Sequence, residues 1–427
     1  MLERLAVSAA EAPETAARVR ALVRAPASVS EVVAGIVASV REGGDAALIE
    51  HEQRFGGGQG EAAEAPAAEA GTLRVSAGEL QAALDALEPA VRDGLELALA
   101  NVSRVAAAGL RGDTEVELPQ GQTIRLREMP VQRAAVYAPG GRRPYPSSVI
   151  MGAVTARAAG VAEVVVAAPA HPVILAACAL CGVEEVYRMG GAQAIAALAC
   201  GTGTIRPVDV IVGPGNLYVQ EAKRQLSGHV GIDGFAGPSD LLVLASAGAD
   251  PRLIALDLLA QAEHGEDSLV VAVSDDRALL DAIAREVQAL FRDRTTVAGG
   301  PKVLVEAASL DAALAFSERL APEHLELVGE AAEALAPGVR RAGCLFVGAA
   351  SATAFGDYVA GSNHTLPTAG AARFASGLSV GHFRRLMSEV RVGGAAAALA
   401  RAGVPIAEAE GFPVHAESMS ARIRQNR

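Results

Sequence analysis

The fold is decided by the stretch Val208-Asp-Val-Ile-Val212 and the Gly213-Pro-Gly-Asn216 that follows it. The first part is a short apolar run typical of a buried strand, and the glycines then allow a tight turn into a helix. The same order of strand and helix occurs at Val161–Ala167 and Glu185–Arg188. Alternation of this kind predicts a parallel sheet that is covered by helices.

A second alternating set follows Gly237 and predicts a second α/β lobe. Helical patterns cover about 9–52 and 77–108, a hairpin is predicted near 122–136, and strands are expected to stop from about 350 onward. The expected fold class is therefore α/β, with two Rossmann-like lobes that have parallel-sheet cores, plus helical N- and C-terminal extensions. The strands of the second set are predicted at Leu241–Ala245, Leu269–Val273, Lys302–Val305 and Cys344–Val347.

Composition excludes several classes of protein. A chain of 427 residues favours two domains, and the absence of a long uncharged apolar run or a secretory signal predicts a soluble cytosolic protein. A net charge of −12 with 3% aromatic residues opposes nucleic-acid binding. Neither lysine, Lys223 or Lys302, lies in a P-loop context. The four cysteines are too few for a disulfide framework, and Cys178-Ala-Leu-Cys181 is interpreted as buried packing rather than half a zinc knuckle.

The turn Gly213-Pro-Gly-Asn216 is also a candidate ligand site. The backbone amides at a helix start can hold an anion or a carbonyl, although an ordinary tight turn between strand and helix explains the pattern equally well. The dinucleotide fingerprint G-x-G-x-x-G is absent after a strand. By analogy with open α/β sheets, ligands are expected at the carboxyl ends of the strands.

Gln261-Ala-Glu-His264 is a candidate metal site. Gln261 and His264 are three residues apart at the end of a predicted helix from about Pro251, so their side chains share a face and could bridge one ion. A surface or capping role is the alternative for such a pair. Gly265 is expected to end the helix.

Further candidate residues follow in the second half of the chain. Glu323-His324 pairs a carboxylate that can activate water with an imidazole that can take a proton from an alcohol; a polar helix start is the alternative. Asp357 and His364 flank a glycine-containing loop that can bend both groups toward one point. With Gln261 and His264, Asp357 forms a ligand set suited to Zn²⁺ or Mn²⁺ that lacks one donor. His415, near Glu410, could supply it, or could be an exposed histidine.

Taken together, these motifs resemble the histidinol dehydrogenase family over about 137–415. Any one of the motifs is weak evidence, whereas eight of them in the right order are specific. They are Val136-Tyr-Ala-Pro-Gly-Gly141, Gly190-Gly-Ala-Gln-Ala194, Gly213-Pro-Gly-Asn216, Ala236-Gly-Pro-Ser239, Gln261-Ala-Glu-His-Gly265, Ala321-Pro-Glu-His324, Gly361-Ser-Asn-His364 and Glu410 followed five residues later by His415.

The resemblance implies a role for each matched residue. It implies a zinc site, contacts to NAD, a catalytic pair and a substrate site that shares several of these residues. The implied zinc ligands are Gln261, His264, Asp357 and His415; the NAD contacts are Tyr137, Gln193 and Asn216; the catalytic residues are Glu323 and His324; the substrate residues are Ser239, Gln261, His264, His324, Asp357, His364, Glu410 and His415.

The resemblance also implies an activity and an assembly. The activity is the oxidation of L-histidinol to L-histidine through L-histidinaldehyde with two NAD, the last steps of histidine biosynthesis. The assembly is a homodimer in which Glu410 and His415 serve the partner's site. A zinc hydrolase and a two-lobed binding protein without turnover remain alternatives. The implied domains are an N-terminal helical extension at 1–24, a discontinuous α/β domain with metal and catalytic residues at 25–136 and 238–377, a second α/β domain with the NAD contacts at 137–237, and a C-terminal arm at 378–427.

Two departures from the family pattern are expected to be minor. Asp240 stands where Glu is more usual, and residues 56–72 form an insert that is unusually rich in Ala and Glu. Neither departure is expected to touch a site residue.

Overall fold

A computed structural model describes residues 2–23, 28–55, 73–140, 143–235, 237–292 and 294–423, so the insert at 56–72 lies outside the described residues. The strands of this part are β1 (Leu2–Val7), β2 (Thr114–Glu117), β3 (Thr123–Pro130), β4 (Arg133–Tyr137), β5 (Glu163–Ala168), β6 (Glu185–Arg188), β7 (Val210–Val212), β8 (Gly231–Ile232), β9 (Asp240–Ala245), β10 (Leu269–Ser274), β11 (Lys302–Ala307), β12 (His324–Val328), β13 (Cys344–Val347) and β14 (Arg384–Arg391).

The α-helices alternate with these strands through most of the chain. They are α1 (Ala12–Ala21), α2 (Ser30–Phe55), α3 (Ala77–Asp85), α4 (Pro89–Ala108), α5 (Pro146–Ala158), α6 (Pro172–Leu180), α7 (Gly191–Cys200), α8 (Leu217–Leu226), α9 (Pro251–Ala262), α10 (Arg277–Phe291), α11 (Leu310–Leu320), α12 (Glu330–Glu333), α13 (Thr353–Tyr358), α14 (Ala396–Ala409) and α15 (Pro413–Arg422).

The first lobe, called lobe I here, is built on a six-stranded sheet in the order β1-β11-β10-β9-β12-β13. Every strand pair in it is parallel. Strands β9 and β10 are buried along their whole length because helices cover both faces. Leu242 and Leu244 pack in the core formed with α1 and α11, whereas Leu241 and Val243 pack in the core formed with α9 and α10.

Lobe II is built on a five-stranded parallel sheet in the order β6-β5-β4-β7-β8. Helices α2, α7 and α8 form one core with this sheet. The order reverses between β4 and β7, which makes this pair the switch point where α/β sheets open a crevice. The predicted fold class, α/β with two parallel-sheet lobes, is confirmed.

A separate compact unit contains 110–131 and 384–427 and is called the arm unit here. Its antiparallel sheet has the order β14-β3-β2, and α14 packs on α15. Two predictions were wrong here. Strands do not stop near 350, because β14 follows; most of its residues are exposed, so it lacks a clear apolar alternation. The hairpin near 122–136 is wrong too, since β3 pairs with β2 and β14 while β4 joins lobe II.

The N-terminal segment also differs from its prediction as a helical extension. Strand β1 pairs in parallel with β11, and Leu5 and Val7 enter the core of lobe I. Helix α2, which the resemblance assigns to the discontinuous domain, packs instead in the core of lobe II. The remaining domain boundaries stay a prediction.

Membrane-spanning helices and the Cys178–Cys181 pair were two questions that the sequence raised. The helices of the described part of the chain include none that is long and apolar enough to cross a membrane. Cys178 and Cys181 are free thiols buried on and just after α6, as the packing interpretation predicted. Burial raises the pKa of the Cys181 thiol to about 12, which opposes metal binding or reactivity.

A candidate active site at the amino ends of two strands

Three candidate residues, Ser239, Glu323 and His324, meet Asp240 where two neighbouring strands of lobe I begin. Asp240 opens β9 directly after Ser239, and His324 opens β12 directly after Glu323. Strands β9 and β12 pair in parallel, with His324 opposite Leu241. Glu323 and His324 therefore belong to a strand start and not to a helix start. These residues lie at the amino ends of the strands and not at the carboxyl ends, where ligands are expected by analogy.

Helix α9 brings Gln261 to the same edge, because a helix that follows a parallel strand runs back and ends at the strands' amino ends. The Gln261 Nε2 donates to Ser239 Oγ at 2.5 Å. Ser239 Oγ in turn donates to Glu323 Oε2 at 2.5 Å. These three side chains, more than 20 residues apart in sequence, form one hydrogen-bonded chain. Gln261 and Glu323 are buried, so the chain is protected from water.

Asp240 contacts both residues of the candidate acid–base pair, Glu323 and His324. The Glu323 amide donates to Asp240 Oδ1 at 2.9 Å, and the Asp240 amide donates to Glu323 Oε2 at 3.1 Å. The Asp240 carbonyl lies 3.3 Å from His324 Nδ1. The expectation that the departure at 240 touches no site residue was therefore wrong. Backbone pairing of the two strands forces this contact, which sequence spacing does not reveal.

Three histidines of this region are oriented in the same way. The Nδ1 of His264 lies 3.2 Å from the Gln261 carbonyl, that of His324 lies near the Asp240 carbonyl, and that of His364 lies 2.8 Å from the Asp357 carbonyl. A carbonyl can only accept, so each Nδ1 carries a proton. In the neutral form of such a ring, Nε2 is the nitrogen that can take a proton or bind a cation.

Burial and charge shift the acid–base behaviour of the catalytic pair. Burial raises the pKa of Glu323 to about 7, and the nearby His324 opposes this shift. Burial lowers the pKa of His324, but Glu323 and Asp357 outweigh it and raise that pKa to about 9. The pair is therefore poised to exchange protons near and above neutral pH.

The donors available to a cation are Gln261, His264 and Asp357. Burial alone would raise the pKa of the Asp357 carboxyl, but His324, His364 and His264 lower it below its usual value, so Asp357 is an anion. Its Oδ1 lies 3.7 Å from His324 Nε2. Within the described ranges no three His, Cys, Asp or Glu side chains are placed to hold a metal ion. An anionic carboxylate, an amide and an imidazole with a free Nε2 suit zinc chemically, with one donor lacking.

Glu410 and His415, the two remaining predicted residues of this set, lie elsewhere, in the arm unit. Glu410 caps α14 and His415 lies in the first turn of α15, and both side chains are exposed. The His415 ring contacts the Phe412 ring at 5.2 Å between centroids.

The residues predicted to contact NAD lie in lobe II at the carboxyl ends of its strands. Tyr137 ends β4, and Gly213 follows β7 directly. A Cβ atom at position 213 would lie 2.1 Å from the Tyr137 carbonyl oxygen, so a side chain there would collide with it. The Asn216 Oδ1 caps α8 by accepting from the Tyr218 and Val219 amides, each at 3.1 Å. The glycine turn is thus required by a close backbone approach at the switch point.

Glu52 is a residue of this second site that sequence patterns missed. Its Oε1 accepts from the Gly190 amide at 2.9 Å and from Gln193 Nε2 at 2.8 Å. Burial raises the pKa of Glu52 to about 7, against these two bonds. Tyr137 lies beside it, with its hydroxyl accepting from the Gly191 amide at 3.1 Å. Position 52 lies in an unremarkable helical pattern, so no sequence signal marked it.

His364 links the two lobes' site edges. Its Nε2 lies 3.3 Å from Ser148 Oγ, in the first turn of α5, while its Nδ1 faces Asp357. The neighbouring Asn363 Nδ2 donates to the Met151 carbonyl of α5 at 3.0 Å. The amino edge of the lobe I sheet therefore meets the carboxyl edge of the lobe II sheet at this loop. Ser148 was also missed by sequence reasoning, because its role arises from a partner 216 positions away.

A buried acid–base pair on one sheet, joined to a strand–turn–helix crevice on a second sheet, defines a two-lobed α/β enzyme of the dehydrogenase class. A family model described as histidinol dehydrogenase matches residues 21–423. The chain belongs to the histidinol dehydrogenase family. The predicted enzyme class, an oxidoreductase acting on an alcohol, is confirmed by this membership.

Individual relatives agree with the family assignment. The chain is 42% identical over 415 residues to a histidinol dehydrogenase of Gluconobacter oxydans, covering 93% of this chain and 94% of that protein. It is 44% identical to a histidinol dehydrogenase of Nocardia farcinica, covering 96% of each. The crystal structure of a histidinol dehydrogenase from Elizabethkingia anophelis superposes with a TM-score of 0.87 at 30% identity, covering 96% of both chains.

Proposed function

We propose that this protein is a zinc-dependent histidinol dehydrogenase that oxidises L-histidinol to L-histidine through L-histidinaldehyde with two NAD, at the end of histidine biosynthesis. The observation that carries the proposal is the meeting of two edges at His364. A buried acid–base pair and cation donors stand on one side, and the nucleotide crevice stands on the other. Oxidation of an alcohol needs a proton acceptor and a hydride acceptor at one carbon, and this arrangement supplies a place for both.

In the alcohol step, His324 Nε2 takes the hydroxyl proton. Its Nδ1 is fixed on the Asp240 carbonyl, so the lone pair points toward Asp357 and the cation donors. A cation bound to Asp357 would neutralise part of the negative charge that stabilises the His324 imidazolium. The pKa of His324 would therefore fall toward a range suited to a base.

In the aldehyde step, Glu323 takes a proton from the water that attacks the carbonyl carbon. Its pKa of about 7 lets it accept and return a proton near neutral pH. Ser239 and the Asp240 amide both donate to Oε2, which leaves Oε1 for the water. Because the aldehyde is reactive, keeping it at one site for both steps prevents its loss to solvent.

Gln261, His264 and Asp357, with His415 of a partner subunit, would hold the zinc ion. Zinc would supply a fixed template for the imidazole and amino nitrogens of the substrate. Ser239, His364 and Glu410 would complete the contacts to the substrate. Tyr137, Gln193 and Asn216 would contact NAD, which supplies the hydride acceptor. The turn at Gly213 and the helix starts of lobe II favour its phosphates.

We further propose a homodimer in which the arm unit reaches the partner's site. The arm unit exposes large apolar side chains that a lone chain would leave in water, and the partner's surface would cover them. Leu386, Val390, Ile406, Phe412 and Val414 are each more than half exposed. A cytosolic location fits the free cysteines of the described residues.

One assay separates this proposal from its rivals. Purified protein with zinc, L-histidinol and NAD should form two NADH per histidinol and release L-histidine. A zinc hydrolase that uses Glu323 on water would show no NAD dependence. A binding protein would bind histidinol without turnover. A zinc-replete preparation that forms no NADH would overturn the dehydrogenase proposal.

A further inference from the structure

Arg20 is not a predicted site residue, yet its guanidinium contacts two segments of the lobe I site, at Asp240 and at the end of α11. It lies on α1, and its Nη1 donates to Asp240 Oδ2 at 2.6 Å. Its Nη2 donates to the Leu320 carbonyl at 2.6 Å and to the Ala321 carbonyl at 3.3 Å. One guanidinium thus joins positions 220 and 300 residues away in the chain.

Both partners of Arg20 lead directly to the catalytic pair. Asp240 accepts the Glu323 amide on its other carboxyl oxygen, and its carbonyl faces His324 Nδ1. Leu320 ends α11, and Ala321 has a left-handed backbone with φ of 47°, which turns the chain into β12. The guanidinium satisfies carbonyls at this helix end, where no intrahelical donor exists. The turn that delivers Glu323 and His324 is therefore tied from two sides.

The Asp240 carboxylate depends on this contact because it is buried. Its side chain is 2% exposed, whereas that of Arg20 is 23% exposed. A buried carboxylate without a counter-charge is strongly unfavourable, so it rotates toward water or takes up a proton. Either change would weaken its bond from the Glu323 amide and shift the start of β12.

We propose that Arg20 is a positioning residue for the reaction, which sets the placement of Glu323 and His324 through Asp240 and through the end of α11. This inference rests on the proposed function, since it assigns those two residues the chemistry. Arg20 itself touches neither the substrate nor the reacting atoms. Its loss should therefore lower the rate of the chemical steps without changing how tightly substrates bind.

The test uses the zinc-loaded full chain with Arg20→Ala and Arg20→Lys. A misplacement of about 1 Å at a reacting group costs on the order of 100-fold in rate, so kcat of Arg20→Ala should fall by about that factor. Arg20→Lys keeps the charge but loses the two-pronged donation, so its kcat should lie between those of Arg20→Ala and the wild type. The KM values for histidinol and NAD and the zinc content should stay within about 2-fold of the wild type.

Arg18→Ala is the matched control, because Arg18 lies on the same helix, is 63% exposed and pairs with Glu3 at the surface. It should retain the wild-type kcat. If Arg20→Ala does not fold, Arg20→Lys replaces it in the test. Guanidinium would also be added to an Arg20 variant that keeps part of its activity, and sodium chloride at equal ionic strength would be the reference.

The outcomes separate the two proposals. An active wild type with unchanged kcat in the Arg20 variants, or with raised KM at unchanged kcat, would overturn the positioning role alone. An equal loss in Arg18→Ala would also overturn it. A wild type that forms no NADH would overturn the proposed function, and the positioning role with it.

Discussion

Lobe I and lobe II share a parallel sheet between helices but place their candidate site residues at opposite ends of the strands. In lobe I, Asp240 and His324 lie where β9 and β12 begin. In lobe II, Tyr137 ends β4 and Asn216 follows β7. The first site brings buried carboxylates and imidazoles together, whereas the predicted NAD residues of the second are neutral, and the charged groups beside them are Glu52 and the buried pair of Lys223 and Asp233 at the Gly213 turn.

Helix direction explains this division. In a parallel α/β sheet the helices end beside the amino ends of the strands and begin beside the carboxyl ends. Helix α9 therefore presents its C-terminal end, which carries partial negative charge, next to the cation donors Gln261 and His264. Helices α5, α7 and α8 present their N-terminal ends, which favour anions, to the nucleotide crevice. A metal-templated site and a nucleotide site can thus be built from the same fold by using opposite edges.

The largest expected effect separates proton transfer from cation binding within the lobe I site. His324→Ala should lower kcat by about 10³-fold while zinc content stays at the wild-type level, because it removes the base and not a donor. His264→Ala should lose zinc. Activity with histidinol and metal content by atomic absorption would be measured together. Equal zinc loss in both variants would show that the roles of the two histidines are misassigned.

The second effect separates the two oxidation steps. Glu323→Gln keeps the shape of the side chain but cannot take a proton from water, so oxidation of histidinaldehyde should slow by about 10²-fold or more. Single-turnover NADH formation from histidinol should then stop near one equivalent. Glu318→Gln, on α11, serves as the control. Loss of both steps to the same extent would argue that Glu323 acts on structure rather than on water.

The pH dependence of the alcohol step provides a related test. Glu323 and Asp357 raise the pKa of His324 to about 9, and a cation bound to Asp357 would lower it from that value, so the neutral, basic form grows as pH rises toward the lowered pKa. The rate with histidinol should therefore increase above pH 7 and level off before pH 9, and a profile of kcat against pH would measure it. A rate that is flat or falls over this range would contradict a base role for His324.

A smaller effect is expected in lobe II, and it tests whether the buried Glu52 carboxyl serves the nucleotide. Glu52→Gln keeps an Oε1 that can accept both hydrogen bonds but removes the charge that strengthens them, so Gln193 should be held less firmly. The KM for NAD should rise about 10-fold with kcat nearly unchanged, since one charged hydrogen bond is worth roughly 1.5–3 kcal/mol. Glu50→Gln, exposed on the same helix, is the control. A fall in kcat at constant KM would end the assignment of Glu52 to the nucleotide side.

The smallest effect concerns stability, not activity. The Glu326 and Asp257 carboxyls interact beneath the lobe I site, and Glu326 Oε2 is buried without a hydrogen-bond partner in the described part of the chain. Burial raises the pKa of Glu326 to about 9 and that of Asp257 to about 6. Folded-state pKa values above the unfolded ones mean that stability is highest at acid pH and falls as pH rises from the unfolded values toward about 6 for Asp257 and about 9 for Glu326.

Glu326→Gln removes one of these two charges. Its Tm should match that of the wild type at pH 5 and exceed it by a few degrees at pH 9, where the wild type must ionise a buried carboxyl. Thermal unfolding at both pH values, with the exposed Glu330→Gln as reference, would measure the difference. A Tm gain that is the same at both pH values would contradict a linked proton.

Much of the fold followed from the order of residues alone. Short apolar runs such as Val210–Val212 and Leu241–Ala245 are buried on both faces, so they mark parallel strands without help from distant residues. Strands with mixed polar and apolar residues were not predicted. For example, β12 begins with His-Leu-Glu and was interpreted as a possible helix start. Eight local motifs in the right order, among them those around Gln261, Glu323 and Gly361, indicated the family, because each motif can be recognised without its distant partners.

Which distant side chains form hydrogen bonds with the residues of those motifs was decided only by the tertiary structure. Arg20, Glu52 and Ser148 lie in ordinary helical patterns, and each meets a site residue more than 100 positions away. Asp240 is read as a harmless departure until strand pairing sets it against Glu323. Sequence spacing determines which side chains share a face of one element. The partners across elements, and the burial that shifts the pKa of Glu323, arise only when the helices and strands pack.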